Sequence, residues 1–278
     1  MRYITKTLRT KYWLPGTDFF EILLKFSISK AIDNDFIVIS EKALSTALGR
    51  LIDEEKIIPS FSSKCLAKFW MRKIWGYLIT VIARINRLNT ERIRKYPLKD
   101  GAAHKQTVLT YCGPIYALKN FSEGGIDVSN LPYKYACLPL TDAQEIAEKI
   151  SSLIFEKTRI NLIVMITDSD KTFSLKNIHV SSRPTFVKEI YNIGPIAYII
   201  GRFFKMRARS TPIALSKNIE TEDALRISAI SNKARKFGAG RTAWDVATRF
   251  GVKMTEISWD MLKNCEHRPV VIVRKLDE

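Results

Sequence analysis

Histidine is scarce in this chain of 278 residues, at three in all, and the four cysteines stand far apart with no C-x-x-C pair. Cys65, Cys112, Cys137 and Cys265 therefore support neither a zinc site nor a disulfide framework. Long apolar runs are missing as well. The longest, Ile74 to Ala83, is ten residues, roughly half of the ~20 that a membrane-spanning helix requires. Met1 to Thr10 carry Arg2, Lys6 and Arg9 with no apolar core or small-residue cleavage site behind them, which predicts no secretory leader and a cytoplasmic location. Acidic residues are outnumbered, 28 against 45 Lys plus Arg, for a net charge of +17. That excess favours phosphates, nucleic acid or acidic headgroups as partners and leaves the reaction open.

What is present suits one or two folded domains: 46% of residues are hydrophobic and 26% charged, with no repeat or low-complexity linker. After the turn Leu14 to Asp18, the spacing of Phe19, Ile22, Leu23 and Phe26 predicts a helix over 19–32, with Asp18 capping and Glu21 reaching back. Asp35 to Ser40 reads as a strand covered on both faces. Glu41 to Leu48 reads as a helix stopped by Gly49. Residues 62–88 form a long helical region whose Trp70, Trp75 and Tyr77 read as a core-facing stripe with a basic back. Strands are predicted over 107–112 and 133–138, and a helix over 141–155 opened by the capping box Thr141 to Gln144. A buried strand, Ile160 to Ile166, then runs directly into Thr167-Asp168-Ser169-Asp170, the end of a strand at which α/β proteins bind ligands. Helices over 220–235 and 241–250 and a closing strand over 269–274 complete the pattern. Cys112 reads as a small buried hydrophobe, and His104 and His267 as loop residues.

Two acidic segments stand out in this basic chain, Gly124 to Asn130 and Thr167 to Asp170. Carboxylates beside hydroxyl and amide oxygens are the hard donors that Mg²⁺ or Mn²⁺ prefers, although Asp and Asn are equally ordinary turn formers. Taken in order, Pro15-Gly16-Thr17-Asp18, Ile37 to Ser40, Leu44 to Arg50, Gly125-Ile126-Asp127-Val128-Ser129-Asn130, Ile166 to Ser169 and Pro269 to Arg274 make the chain resemble the γ-glutamyl ligases of the deazaflavin coenzyme F-420. The Gly-Ile-Asp-x-Ser-Asn block is the most distinctive of these.

The resemblance implies a mixed α/β fold of two interleaved lobes, about 1–110 and 111–278, in an intertwined homodimer. It implies joining of L-glutamate to a carboxylate of a phosphorylated deazaflavin precursor through an acyl phosphate. GTP is the implied co-substrate, with Mg²⁺ or Mn²⁺, and K⁺ as a further cation. Carried over residue by residue, the metal positions fall on Asp127, Asp168 and Ser169, with both aspartates at the reaction centre, and the nucleotide contacts on Asn130, Glu41, Lys42, Thr46, Tyr12 and Trp13. Departures are visible too. Thr46 stands where the family has a phosphate-facing lysine, and Leu48 where it has an acid, so Lys42, one turn before Thr46, is the expected replacement cation. Asp170 to Phe173 lack the usual Gly-Arg, Lys263 reverses an expected acidic or amide position, and 230–258 with Arg235 and Arg241 extends beyond the familiar pattern. The alternative is a non-catalytic relative that binds nucleic acid or a protein partner through Lys68 to Lys73, Arg84 to Lys95 and Arg202 to Arg209.

Overall fold

A computed structural model describes residues 2–120 and 123–276. Its strands are β1 (Arg2–Thr10), β2 (Phe36–Ser40), β3 (Leu51–Asp53), β4 (Tyr135–Cys137), β5 (Ile163–Leu175), β6 (Ile178–Ser181), β7 (Ile190–Asn192), β8 (Arg207–Leu215) and β9 (His267–Leu276). The helices are α1 (Phe19–Lys30), α2 (Glu41–Ala47), α3 (Phe61–Cys65), α4 (Thr80–Ile82), α5 (Arg87–Arg94), α6 (Leu98–Tyr111), α7 (Pro114–Ala117), α8 (Ala143–Thr158), α9 (Ile196–Phe203), α10 (Thr221–Arg235), α11 (Ala243–Phe250) and α12 (Trp259–Lys263). Between α3 and α4, over Leu66–Ile79, the helix widens to i→i+5 pairing.

The apolar runs in the sequence become the middle of a mixed sheet in the order β1-β9-β2-β5-β6-β7, with β8 on the other edge of β5. Side chains alternate across a strand, so each run feeds two cores. Ile37, Ile39, Val164, Ile166, Val270 and Ile272 face α1, α2 and α8. Phe36, Val38, Ile163, Met165, Val271 and Val273 pack with Ala224, Leu225 and Ile227 of α10. The result is helix, sheet and helix in three layers, the mixed α/β class expected. The sheet takes β1 and β2 from before residue 110 and β5 to β9 from after it. Among the described residues, no helix is long and apolar enough to cross a membrane.

One feature of β5 positions the site. On one edge it pairs with β8 from Met165 to Ser174. On the other it pairs in parallel with β2 only as far as Thr167 and antiparallel with β6 only from Thr172. Between these partners the ladder to β8 slips, at Asp168 to Lys171. The backbone there is released from regular pairing, as a bulge does when it re-aims side chains. The expected end of the strand at Ile166 is thus a split in its edge rather than a terminus.

Three other local expectations fail for physical reasons. The predicted strand 107–112 is the last part of α6. Ala102, Lys105 and Val108 are buried at helical spacing, and Thr107 and Thr110 donate to the carbonyls of Ala103 and Gln106, which satisfies β-branched hydroxyls inside a helix. No capping box opens α8. Asp142 pairs bidentately with Arg50 at 2.6 Å and Gln144 bonds the Leu215 backbone, and a charge-assisted pair outcompetes a neutral cap. In the aromatic stripe, Trp75 is fully buried with its indole N–H on the Leu118 carbonyl, whereas Tyr77 is 56% exposed beside Arg94.

Replacing Ile39, fully buried in the central strand, by alanine should lower unfolding stability by about 2–5 kcal/mol. The same change at the half-exposed edge residue Ile4 should stay within about 0.5 kcal/mol. Urea titration of both variants measures the contrast.

Candidate functional site

The site forms where the split edge of β5 meets the start of α2. Ser40 ends β2, and α2 begins at once with Glu41 and Lys42. Glu41 is buried and does not reach the cavity above it. Its carboxylate takes both Arg183 Nη atoms, at 2.5 and 2.7 Å, and the Leu140 backbone N–H at 3.0 Å. Arg183 Nη1 also donates to Asp168 Oδ2 at 2.7 Å. One guanidinium, 2% exposed, thus joins the first turn of α2 to the loosened part of β5. Gly125 explains part of the Gly-Ile-Asp block. It sits at φ +103°, and a Cβ there would lie 2.6 Å from Arg183 Cζ, so only glycine leaves room for the guanidinium.

The chain brings most of its sequence-designated residues to two adjoining cavities. The first, about 120 Å³, is lined by Tyr12, Trp13, Lys42, Thr46, Asn130, Asp168 and Ser169 together with residues of 232–241 and 267–269. The second, about 140 Å³, is lined by Asp127, Ser129 and Ser169 with Tyr96, His104, Asn120, Glu123 and Trp244 among others. Ser129, Ser169 and Arg241 belong to both. Glu41 lines neither, and acts on the site through Arg183. Lys263 lines neither as well, being paired with Asp260 at 2.8 Å, so its reversed charge does not face the site.

Several of the designated side chains already have partners in the protein. Lys42 Nζ donates to Asp127 Oδ2 at 2.8 Å and to the Ser129 carbonyl and hydroxyl at 3.0 and 2.8 Å. It therefore holds the Asp127 loop as well as facing the cavity, where Thr46 lies one turn along and donates to the Lys42 carbonyl. The Asn130 amide donates to the Gly240 carbonyl at 2.8 Å and accepts from Ala239 N–H at 2.8 Å. Its backbone carbonyl accepts from the Tyr12 hydroxyl. Asn130 so fastens the 238–240 turn over the cavity, and Gly238, at φ +60°, has only 3.2 Å between a built Cβ and Asn130 Oδ1. Asp168 Oδ1 accepts from Ser169 N–H at 2.6 Å.

Arg235, which sequence reading left without a role, and Trp13, designated a nucleotide contact, supply the cavity's loose ends. Arg235, in the last turn of α10, is 8% exposed, and its Nη1 has no partner. Burial brings its pKa down to about 10, against the pull of Asp168. The Trp13 indole N–H is buried and unpartnered too. His267 is no loop residue. It opens β9, stacks on Tyr12 with ring centroids 4.6 Å apart, and burial pushes it down to about 4, so it is neutral at pH 7. The lining carries five cations, Lys42, Arg235, Lys236, Arg241 and Arg268, against the one carboxylate of Asp168. Burial raises the Asp168 carboxyl, but the Arg183 charge and hydrogen bond outweigh it and hold it below the usual aspartate range. An arrangement of this sign attracts a multiply charged anion.

Among the described residues no group of three or more His, Cys, Asp and Glu gathers as a ready-made metal cluster. Asp127, Asp168 and Ser169 are nevertheless hard oxygen donors on the walls of adjoining cavities, and Asp127 Oδ2 and Asp168 Oδ2 each keep a second lone pair beyond the protein cation they accept from. They fit a divalent cation by donor type. By charge they fit it only in company with an anion, because Lys42 and Arg183 already compensate the two aspartates.

Comparison with known proteins adds the family. Residues 7–182 match the family described as F420-0:Gamma-glutamyl ligase. An uncharacterized protein of Methanocaldococcus jannaschii is 30% identical over 285 residues, spanning 98% of this chain and 96% of its own. The chain belongs to the F420-0:γ-glutamyl ligase family. The match takes in Tyr12, Lys42, Asp127, Asn130, Asp168 and Ser169 and stops just before Arg183, so the cationic side of the cavity, Arg235 to Arg241, lies outside the family segment. Membership points to a ligase of coenzyme F-420 biosynthesis.

Behind the second cavity lies a buried ionic network. His104, within α6 rather than a loop, meets Glu54 through Nδ1 at 2.8 Å and Glu123 through Nε2 at 3.2 Å, and Lys105 meets Glu123 at 2.8 Å. Burial alone would lower the His104 pKa, but the two carboxylates raise it from 6.5 to about 10. Burial likewise raises Glu123, while Lys105 and His104 outweigh it and leave that carboxyl well below its ordinary range. A raised histidine pKa contributes stability that is full below 6.5 and lost as pH rises through about 10. The stability difference between wild type and His104→Gln should therefore be largest near pH 6 and close towards pH 10 in urea titrations. A difference independent of pH would contradict a charged His104.

Proposed function

We propose that this protein is a metal- and GTP-dependent ligase that forms an amide bond between L-glutamate and a carboxylate of a phosphorylated deazaflavin precursor. The observation that carries the reading is the first cavity, where the unpartnered Arg235 Nη1 and Trp13 indole N–H share the lining with four further cations and with Asp168 and Ser169. A triphosphate supplies what that lining lacks. Its oxygens accept from the orphaned donors, and its charge offsets the basic excess. Mg²⁺ or Mn²⁺ held by Asp127, Asp168 and Ser169 would neutralise charge on the transferring phosphoryl group. K⁺ and a homodimeric assembly belong to the same proposal.

The chemistry follows from these positions. A carboxylate oxygen of the acceptor attacks the γ-phosphorus, the bond to the β-γ bridging oxygen breaks, and GDP leaves. The glutamate amine then attacks the acyl carbon. The C–N bond forms as the C–O bond to phosphate breaks, inorganic phosphate departs, and the amine proton passes to water. In this scheme the protein mainly positions and stabilises charge, which is most of what phosphoryl transfer asks of it. Lys42 and Arg183 hold the aspartates in place, while Arg235 faces the phosphates. The loss of the family lysine at Thr46 is offset by Arg235, which comes from the other side of the cavity, while Lys42 is occupied with Asp127.

The basic clusters that prompted the nucleic-acid alternative are partly engaged within the chain. Arg72, Arg94 and Arg202 donate to the carbonyls of Tyr96, Gly76 and Ala83, Arg92 pairs with Asp245, and Arg209 is buried on Glu222. Incubation with GTP, Mn²⁺, L-glutamate and the phosphorylated precursor should give a product heavier by one glutamyl unit in mass spectrometry. Asp168→Asn and Arg235→Met should each cut turnover by at least tenfold. Unchanged mass with intact protein would remove the ligase assignment.

A further inference from the structure

The second cavity has a feature that neither the ion pairs around it nor the nucleotide reading explains. Asn120 lines it, is 2% exposed, and has no partner for either Oδ1 or Nδ2. Leaving a buried polar atom unpaired costs about 1–3 kcal/mol, and this amide carries two. Its neighbours on the wall do not relieve it. Glu123 is held by His104 and Lys105, and Asp127 by Lys42 and the Ser129 N–H. Arg241, which lines both cavities, lies over the Phe237 ring at 4.1 Å. The walls thus offer an unused donor and an unused acceptor on one amide, a cation, and carboxylates.

We propose that this cavity, built around Asn120, is the binding site for the amine-donating α-amino acid. The zwitterion matches the walls. Its carboxylate is taken by Asn120 Nδ2 and the Arg241 guanidinium. Its amine lies toward Asp127 and Ser169, and Ser169 also lines the phosphate cavity, where the acyl phosphate would be attacked. The inference rests on the ligase reading for the second half of the reaction, but not for binding itself.

Asn120→Leu keeps the shape of the side chain and removes both unpaired atoms. A residue retained for ligand binding should then give opposite effects: a higher melting temperature of the unliganded protein and at least tenfold weaker binding of L-glutamate. Titration calorimetry of L-glutamate into the full chain, with and without Mn²⁺ and a non-hydrolysable GTP analogue, reads the second effect. Asn120→Asp, which places a negative charge opposite the ligand's carboxylate, should weaken it as much, while the affinity for the analogue stays within twofold. Wild-type protein that takes up the analogue and Mn²⁺ but not L-glutamate overturns the amino-acid site alone, and protein that takes up none of them overturns both readings. Unaltered L-glutamate affinity in Asn120→Leu also overturns the assignment, ordered water then being the occupant of the amide.

Discussion

The Arg183 guanidinium is the interaction on which the rest of the site depends. It is buried, it binds Glu41 at the start of α2 and Asp168 in the loosened part of β5, and it passes through space left by Gly125. Three segments far apart in sequence meet on one cation. The arrangement is costly to assemble, since charges leave water, and it holds only because each carboxylate has several hydrogen bonds. Its benefit is geometric. With Arg183 fixed, Asp168 and Ser169 face one cavity, the Asp127 loop meets Lys42, and the split in the β5 edge stays open between β2 and β6.

Seen from Arg183 outward, the site is a compensated set of carboxylates facing a lining in which cations predominate and one, Arg235, keeps an unused donor. Asp170 shows how far the balancing goes: burial raises its carboxyl to about 6 even though Lys119 lies 3.0 Å away. Glu41, Asp127 and Asp168 each have a protein cation in contact, whereas Arg235 is buried with an unused Nη1. Electrostatics of this kind repel a bare metal ion and welcome an anion, or a metal that arrives with one. The family segment supplies the oxygen donors and Lys42, and the chain beyond residue 182 supplies the other four lining cations.

Much of this was legible in the sequence, for reasons that differ by element. Covered strands such as Ile37 to Ile39 and Val270 to Val273 announce themselves by unbroken β-branched runs, and α1 by its cap and its stripe. Asp127 stood in a distinctive block and Asp168 and Ser169 in a short acidic turn, and the fold places them on the walls of two adjoining cavities. Thr107 to Cys112 was misread because six residues do not separate a strand from the end of a helix, and only the burial of Ala102, Lys105 and Val108 does. Arg183 and Asn120 left no signal, since a lone arginine before a proline and an asparagine in a loop are ordinary. Arg235 was visible only as part of a stretch beyond the familiar pattern, and its burial is what sets it apart.

The central claim is that the oxygen donors take a divalent metal only together with phosphate, because the protein's own cations already balance them. Electron paramagnetic resonance of Mn²⁺ measures this directly through the loss of the free-ion signal. Titration without nucleotide should show no saturable uptake, and addition of GTP should produce one tight phase that Asp168→Asn removes. Tight uptake of Mn²⁺ by the nucleotide-free protein, or none after GTP is added, would contradict the account.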